Sequence, residues 1–446
     1  MVDEAEHDED AAALLRLLTG GPRGRRELDK SLGWSQPTFS RRVRALHHSV
    51  IAVGRGPATR YAARRRIEGV GDAVALYELD EAGGARHAAT LTPVHPRGYW
   101  VEAHTDELES AFYEDLPWFL FDLRPAGFLG RFLPRRHPEM PRDVTLWTGD
   151  HVMSWLVRHG GDEVGALVLG EAALERARQR DVLDPPWPAA ERAERFPRLA
   201  ELALAEPVGS SAAGEQPKFL VRRVVERARG TGVRDALVKF SPVRARGDVV
   251  AQRVADLLVA EHLTHEVLRG LGRDACASLL LEAGGRVFLE VERFDRTTRG
   301  RRGVVSFFAF DREFVGRLHS WLDTARGLER LRLVDPGLVA DVAWRGFFGR
   351  CLGNSDMHHG NLAFMTRGAR VLGLAPSYDM LPMMFMPRHG HLVTPAFLPP
   401  VPLVDEVAVA DSAREAAVMV WLAVSQHDLV SKAFRKVAAQ IADQLG

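Results

Sequence analysis

Cysteine is nearly absent: Cys276 and Cys351 are the only two in 446 residues, and they stand far apart. That excludes a disulfide framework and a thiolate zinc site, and it suits a reducing compartment. No run approaches 18 uninterrupted apolar residues, so no membrane-spanning helix is expected. The first ten residues carry Asp3, Glu4, Glu6, Asp8, Glu9 and Asp10 instead of a basic stretch followed by an apolar one. A secretion signal is therefore not expected, and the sequence points to a cytoplasmic protein. Net charge is also lacking, with 59 Lys and Arg against 59 Asp and Glu. No internal repeat is visible. What remains is an ordinary globular composition, 46% hydrophobic and 26% charged, in a chain long enough for two or three domains.

The zero net charge hides a local excess. Between Pro22 and Arg66 stand 12 Lys and Arg against Glu27 and Asp29, a balance of 12 − 2 = +10. Such a patch attracts a phosphate backbone. Within it, Ala11 to Leu18 reads as a helix with Leu14, Leu15 and Leu18 on one face. Arg25 to Leu32 reads as a second, stopped by Gly33, and Ser35 caps a third with Phe39, Val43 and Leu46 at buried spacing. The outer face of that third helix is expected to carry Gln36, Thr38, Ser40, Arg41, Arg42 and Arg44. Two strands around Gly54-Arg55-Gly56-Pro57 complete a basic hairpin. The segment resembles the winged helix-turn-helix domains of bacterial regulators, which implies DNA binding through those residues and Arg55, with dimers reading paired half-sites. The plain alternative is an arginine-rich bundle with a solvated surface.

Val74 to Leu79 and Ala88 to Thr92 alternate as strands around Gly83-Gly84. The aromatic residues Tyr99, Trp100, Phe112, Tyr113, Trp118, Phe119, Phe121 and Phe128 read as core packing. Arg178 to Arg198, with Pro185-Pro186-Trp187-Pro188, reads as an exposed connection or lid. A small-residue loop, Gly209 to Lys218, then precedes the strand Phe219-Leu220-Val221, and glycine and alanine allow backbone N–H groups close to phosphates. Lys239 sits alone inside the apolar strand Ala236 to Phe240, and Glu261 on the following helix is its candidate partner. Val287 to Arg296 is a strand running into a polar turn, and from Phe307 onward the pattern is mostly helical.

The segment Gly353-Asn354-Ser355-Asp356-Met357-His358-His359-Gly360-Asn361 spaces Asp356 and Asn361 as Asp-x-x-x-x-Asn, and Asp379 follows 18 residues later. This is similar to the catalytic loop of protein kinases, with Asp356 as base and Asn361 and Asp379 as magnesium ligands. With Ser211 to Lys218, Val291 to Arg296 and Ala375 to Asp379, the chain resembles the HipA family of bacterial serine/threonine kinases, toxins of toxin–antitoxin systems. Phe112 to Arg131, with its Leu-Arg-Pro-Ala-Gly core, is similar to a segment ahead of that family's ATP loop. The resemblance covers roughly residues 72–446, and the N-terminal segment makes the chain look like the branch fused to its own DNA-binding domain.

The resemblance implies ATP and magnesium as cofactors. It assigns Ala213, Gly214, Glu215, Gln216 and Lys218 to the phosphates, and Lys239 to the nucleotide. Glu292, Arg293 and Phe294 would meet adenine, and His358, His359, Asn361 and Tyr378 would lie beside the nucleotide. Ser211, with Ser210 as neighbour, matches a serine that family members phosphorylate, and protein substrates such as aminoacyl-tRNA synthetases or other translation factors are implied. One departure stands out: the family has lysine before the asparagine where this chain has Gly360, leaving Arg350 or His359 to take over its role. The expected fold is α+β, with a winged helix-turn-helix over 1–70, a mixed α/β N-lobe over 71–295 and a helical C-lobe over 296–446. Two other readings stay open: a DNA-binding regulator that only senses a nucleotide, and a metal hydrolase built from His358, His359, His389 and His391 with Asp356 and Asp379.

Overall fold

The basic N-terminal segment folds around leucines spaced for helix packing. The computed structural model describes residues 2–54, 59–131, 133–205, 216–227 and 230–446. Helix α1 runs Val2–Thr19, further back than the apolar spacing alone implies. The two-residue strand β1 (Arg23–Gly24) leads into α2 (Arg25–Leu32), which stops at Gly33 in the left-handed conformation, φ 66°. Ser35 caps α3 (Gln36–Ala45) by accepting from the Thr38 amide. Strands β2 (Val50–Val53) and β3 (Arg60–Ala63) form, with β1, a sheet of order β1-β3-β2. Leu14, Leu18, Leu28, Phe39, Val50 and Ala63 make its core. The Arg25 guanidinium lies 3.7 Å from the centre of the Phe39 ring. Arg55 lies outside the described residues.

One residue of the expected outer face turns inward. Arg42 is buried, and its Nε and Nη2 reach Asp10 Oδ2 at 3.0 and 2.8 Å. Arg41, Arg42 and Arg44 fall on nearly consecutive positions at about 100° per residue, which is too wide an arc for one face. Gln36, Ser40, Arg41 and Arg44 remain exposed, and Thr38 is half-buried with its hydroxyl 2.9 Å from that of Ser35. The unit is joined to the rest through Val53 and Ala62 against Val94 and Trp100. Arg65 adds an ion pair to Asp150, whose Oδ1 also accepts from the Tyr99 hydroxyl at 2.7 Å.

Strands β4 (Val74–Leu79), β5 (Ala85–Pro93), β6 (Tyr99–Ala103), β7 (Ala111–Tyr113) and β8 (Leu167–Leu169) form a second sheet, ordered β7-β6-β5-β4-β8. Tyr99, Trp118, Phe119 and Phe128 are buried, and Phe112, Tyr113 and Phe121 partly so. The stretch expected to be an exposed connection or lid is largely exposed, but it carries regular structure. Helices Glu171–Arg178 and Arg180–Leu183 precede the short strand β9 (Trp187–Pro188), and the helix Arg192–Ala205 follows it. The physical reason is Trp187, which packs against Phe196 with ring centres 6.0 Å apart.

Strands β10 (Lys218–Arg227), β11 (Gly230–Phe240), β12 (Ser278–Ala283) and β13 (Arg286–Glu292) build the third sheet, ordered β12-β13-β11-β10-β9. Phe196, Phe219, Phe240 and Phe288 fill one of its faces. The C-terminal part is not wholly helical. Strands β14 (Gly303–Ser306), β15 (Ala363–Arg367) and β16 (Arg370–Leu374) form a small antiparallel sheet, and the helices Trp321–Arg330, Pro336–Cys351, Val407–Gln426 and Lys432–Leu445 are the longest elements around it. One apolar core runs continuously from Ile67 to Leu445. No helix among the described residues is long and apolar enough to cross a membrane.

A buried ion cluster fastens the turn after β13 to the loop before β8. Asp295 accepts from Arg293 Nη2 at 3.0 Å, Arg296 Nη1 at 2.5 Å and the Gly165 amide at 2.9 Å. Burial opposes its charge, yet Arg293 and Arg296 hold its carboxyl well below the usual range. A depressed folded pKa contributes stability that is present above the unfolded value of about 4 and lost as pH falls through the folded one. Asp295→Asn is therefore expected to cost about 3–5 kcal/mol at neutral pH, with the deficit narrowing below about pH 4, as read by urea denaturation at both pH values. In the N-terminal unit, Arg42→Ala is expected to cost about 1–3 kcal/mol in thermal denaturation, whereas Arg41→Ala leaves stability unchanged.

Candidate active site

Alternation along β11 sends Val238 and Phe240 into the phenylalanine core and Leu237 and Lys239 to the opposite face. Lys218 pairs with Lys239 and Leu220 with Leu237 across β10, while Val291 of β13 pairs with Leu237. All of these line a cavity of about 620 Å³. Lys239 is buried, and its Nζ donates to Glu261 Oε1 and Oε2 at 2.6 and 2.8 Å and also to Asp379. Glu261 comes from the helix Val249–Gly270, on the face that also buries Ala255, Leu258, His265 and Leu268. Burial opposes the Lys239 charge, but Asp379 and Glu261 overcome it and raise its pKa. Burial likewise opposes ionisation of Asp379, which Lys239 and Lys218 hold below the ordinary carboxylate range. Burial pushes Glu261 up. Behind the triad, burial and then Lys239 drive His265 down to about 3, so its imidazole is neutral.

Asp379 has φ 51°, a left-handed backbone rarely adopted by a non-glycine residue. Its loop is pinned where the Ser377 amide donates to Asp274 O at 2.9 Å and the Cys276 amide to Ser377 O at 3.0 Å. The Asp356 loop leaves the helix Pro336–Cys351 through Gly353, φ 69°, where a Cβ would come within 2.5 Å of the Met384 sulfur. Asn354 joins the two loops: its Oδ1 accepts from the Asp356 amide at 3.0 Å, and its Nδ2 donates to Asp379 O at 3.4 Å. Asn361 Nδ2 donates to Asp356 O at 2.8 Å, and the Tyr378 hydroxyl donates to Gly360 O at 2.8 Å. The Asp356 side chain is exposed.

The expected residues divide accordingly. Lys218, Lys239, Glu292, Arg293, Phe294, Tyr378 and Asp379 line the cavity, whereas Asp356, His358, His359 and Asn361 lie on the adjoining loop outside its wall. Gln216 is half-buried beside Lys218. Ala213, Gly214, Glu215, Ser210 and Ser211 lie outside the described residues. Glu292 is paired with Arg234, and Arg293 is committed to the Asp295 cluster, so its guanidinium serves the scaffold. Phe294 and Tyr378 face one another at 5.7 Å. Asn361 and Asp379 offer the hard oxygen donors that magnesium prefers.

Neither candidate replacement for the missing lysine is available. Arg350 is paired with Glu406 at 2.5–2.8 Å, and His359 is buried with its Nε2 2.8 Å from the Thr324 hydroxyl. His358 Nδ1 accepts from the Gly360 amide at 3.0 Å, and a Cβ at 360 would lie within 2.9 Å of that ring. Among the described residues, the histidines of the hydrolase reading do not converge with Asp356 and Asp379 on one point. Sequence alone offers a likeness for the Leu-Arg-Pro-Ala-Gly segment but no role. Asp122, Arg124, Pro125 and Leu129 form one wall of the cavity. Asp122 accepts from the Ser306 amide and hydroxyl at 2.6 and 2.7 Å, fixing that wall to β14.

Residues 70–178 match the family described as YjjJ-like toxin, middle domain, and residues 210–445 match the HipA-like C-terminal domain. Toxin YjjJ of Escherichia coli (strain K12) is 35% identical, with 97% of each chain covered. Among solved structures, similarity extends to HipA of Shewanella oneidensis MR-1, from a complex with HipB and operator DNA. Its TM-score is 0.49 at 16% identity, covering 83% of this chain and 95% of that one. The Helicobacter pylori proinflammatory kinase CtkA gives a TM-score of 0.34 at 13% identity, over 54% and 90%. The matched C-terminal domain and the full-length likeness to Toxin YjjJ decide the assignment: this chain belongs to the HipA-like family of toxins.

Proposed function

We propose that the chain is an ATP- and magnesium-dependent serine/threonine protein kinase of the HipA toxin type, carrying its own DNA-binding winged helix at the N-terminus. The observation that carries this reading is Lys239, buried at the wall of a 620 Å³ cavity and shared between Glu261 and Asp379. A lysine so held presents a fixed positive charge to nucleotide phosphates, as the strand lysine of kinases does. Lys218, beside it in register, adds a second cation. Phe294 and Tyr378 supply apolar surface for a base. Asn361 and Asp379 would hold magnesium, which when bound neutralises phosphate charge.

In this reading Asp356 accepts the proton of the attacking hydroxyl, and Asn354 and Asn361 hold its loop in place through the bonds at 3.0 and 2.8 Å. Ala213, Gly214, Glu215 and Gln216 would cradle the phosphates. Ser211 or Ser210 would take a phosphate and compete with ATP by charge and volume. The full-length likeness to a protein named a toxin supports a toxic outcome. The target in this reading is a serine or threonine of another protein. Gln36, Thr38, Ser40, Arg41 and Arg44 would face DNA.

A second reading, a regulator that senses a nucleotide without transferring phosphate, is favoured by Gly360, since Arg350 and His359 are both engaged elsewhere.

Intact mass after incubation with ATP and magnesium separates the two. The wild type is expected to gain one phosphate in the peptide holding Ser210 and Ser211, and Asp356→Asn to slow that gain by about 10²–10⁴-fold while still binding ATP. ATP binding with no phosphate gained and none passed to other proteins would favour the sensor. For DNA, fluorescence anisotropy should show Arg41→Ala with Arg44→Ala weakening binding. The slope of log affinity against log salt should flatten by about one for each arginine that had neutralised a phosphate. Unchanged affinity would remove the DNA-reading role from α3.

A further inference from the structure

His137, Glu139 and His159 stand together although the chain separates them. His159 ends the helix Gly149–His159, and the other two lie in the turn after the short helix Leu133–Arg136. Glu139 Oε1 lies 3.1 Å from His159 Nε2 and 3.4 Å from His137 Nδ1. The three candidate ligand atoms all fall within 4.8 Å of one another. A tetrahedral ion with bonds of about 2.0–2.1 Å needs ligand atoms about 3.3–3.4 Å apart, so the cluster is already near the required size.

The rings are also held in place. The Trp155 ring packs 4.7 Å from both imidazoles, edge-on to His137 at 81° and tilted 36° to His159. Two imidazoles and one carboxylate are donors for zinc-like ions rather than for magnesium or calcium.

We infer that His137, Glu139 and His159 form a site for a divalent transition cation of the zinc class, with a fourth position left to water. The site is independent of the kinase reading but borders its cavity. Trp155 and His159 line the cavity, and so do Leu129 and Leu133 from the segment that the cation would fasten. A bound ion therefore ties Leu129 and Leu133 of that wall to the end of the helix Gly149–His159.

The test is calorimetric titration of the chelator-treated full-length protein with zinc chloride, paired with thermal denaturation with and without zinc. His137→Ala and Glu139→Gln are the variants, since neither residue lines the cavity. The wild type is expected to take up one tight equivalent and melt at a higher temperature with zinc. Each variant should lose both effects while melting like the metal-free wild type when zinc is absent. A wild type without a tight equivalent, or variants that keep it, would overturn the assignment. Retention by both variants would place the zinc on other histidines.

Discussion

A single ammonium shared by two carboxylates holds the candidate site together. Lys239 arrives on a strand, Glu261 on a helix and Asp379 on a loop whose backbone is left-handed at that residue. Removing water from three charges is costly, and only close geometry recovers it. The three elements must therefore dock in one arrangement, because a displaced partner leaves a charge buried alone. Burial pushes the Glu261 pKa up, whereas Lys239 and Lys218 hold that of Asp379 down.

That arrangement reaches the exposed loop through few bonds. Asn354 connects the Asp356 amide to the Asp379 carbonyl, and Tyr378 reaches Gly360. The Trp321 indole donates to His358 O at 3.1 Å and ties the same loop to another helix. The Asp356 carboxylate thus stays in water while its backbone is fixed from both sides.

Local features were legible in the sequence. The lone lysine in an apolar strand, the left-handed stop at Gly33 and the Ser35 cap all follow from spacing over a few residues, and Glu261 stood as a candidate partner on the helix that comes next. Long-range choices were not. Nothing near Arg42 says that Asp10, in another helix, will draw it inward, and nothing near Arg293, which lines the cavity, says that Asp162 will take up its guanidinium together with Asp295. The wall from Asp122 to Leu133 carries its likeness in a short segment, but its place beside Lys239 is set by Ser306, 184 positions away. The ordering of Trp187 was hidden for the same reason: its prolines suggest a loop, while Phe196 and the edge of β10 decide otherwise.

Strand β9 has a consequence for the molecule's behaviour in company. It runs parallel to β10 for only Trp187 and Pro188, pairing with Arg223 and Val224, and Arg195 sits 5.0 Å from the Trp187 ring. Pro188 has no amide hydrogen to offer, and two residues are too few to template another strand. At Arg223 and Val224, therefore, β9 leaves no edge that favours the addition of another strand.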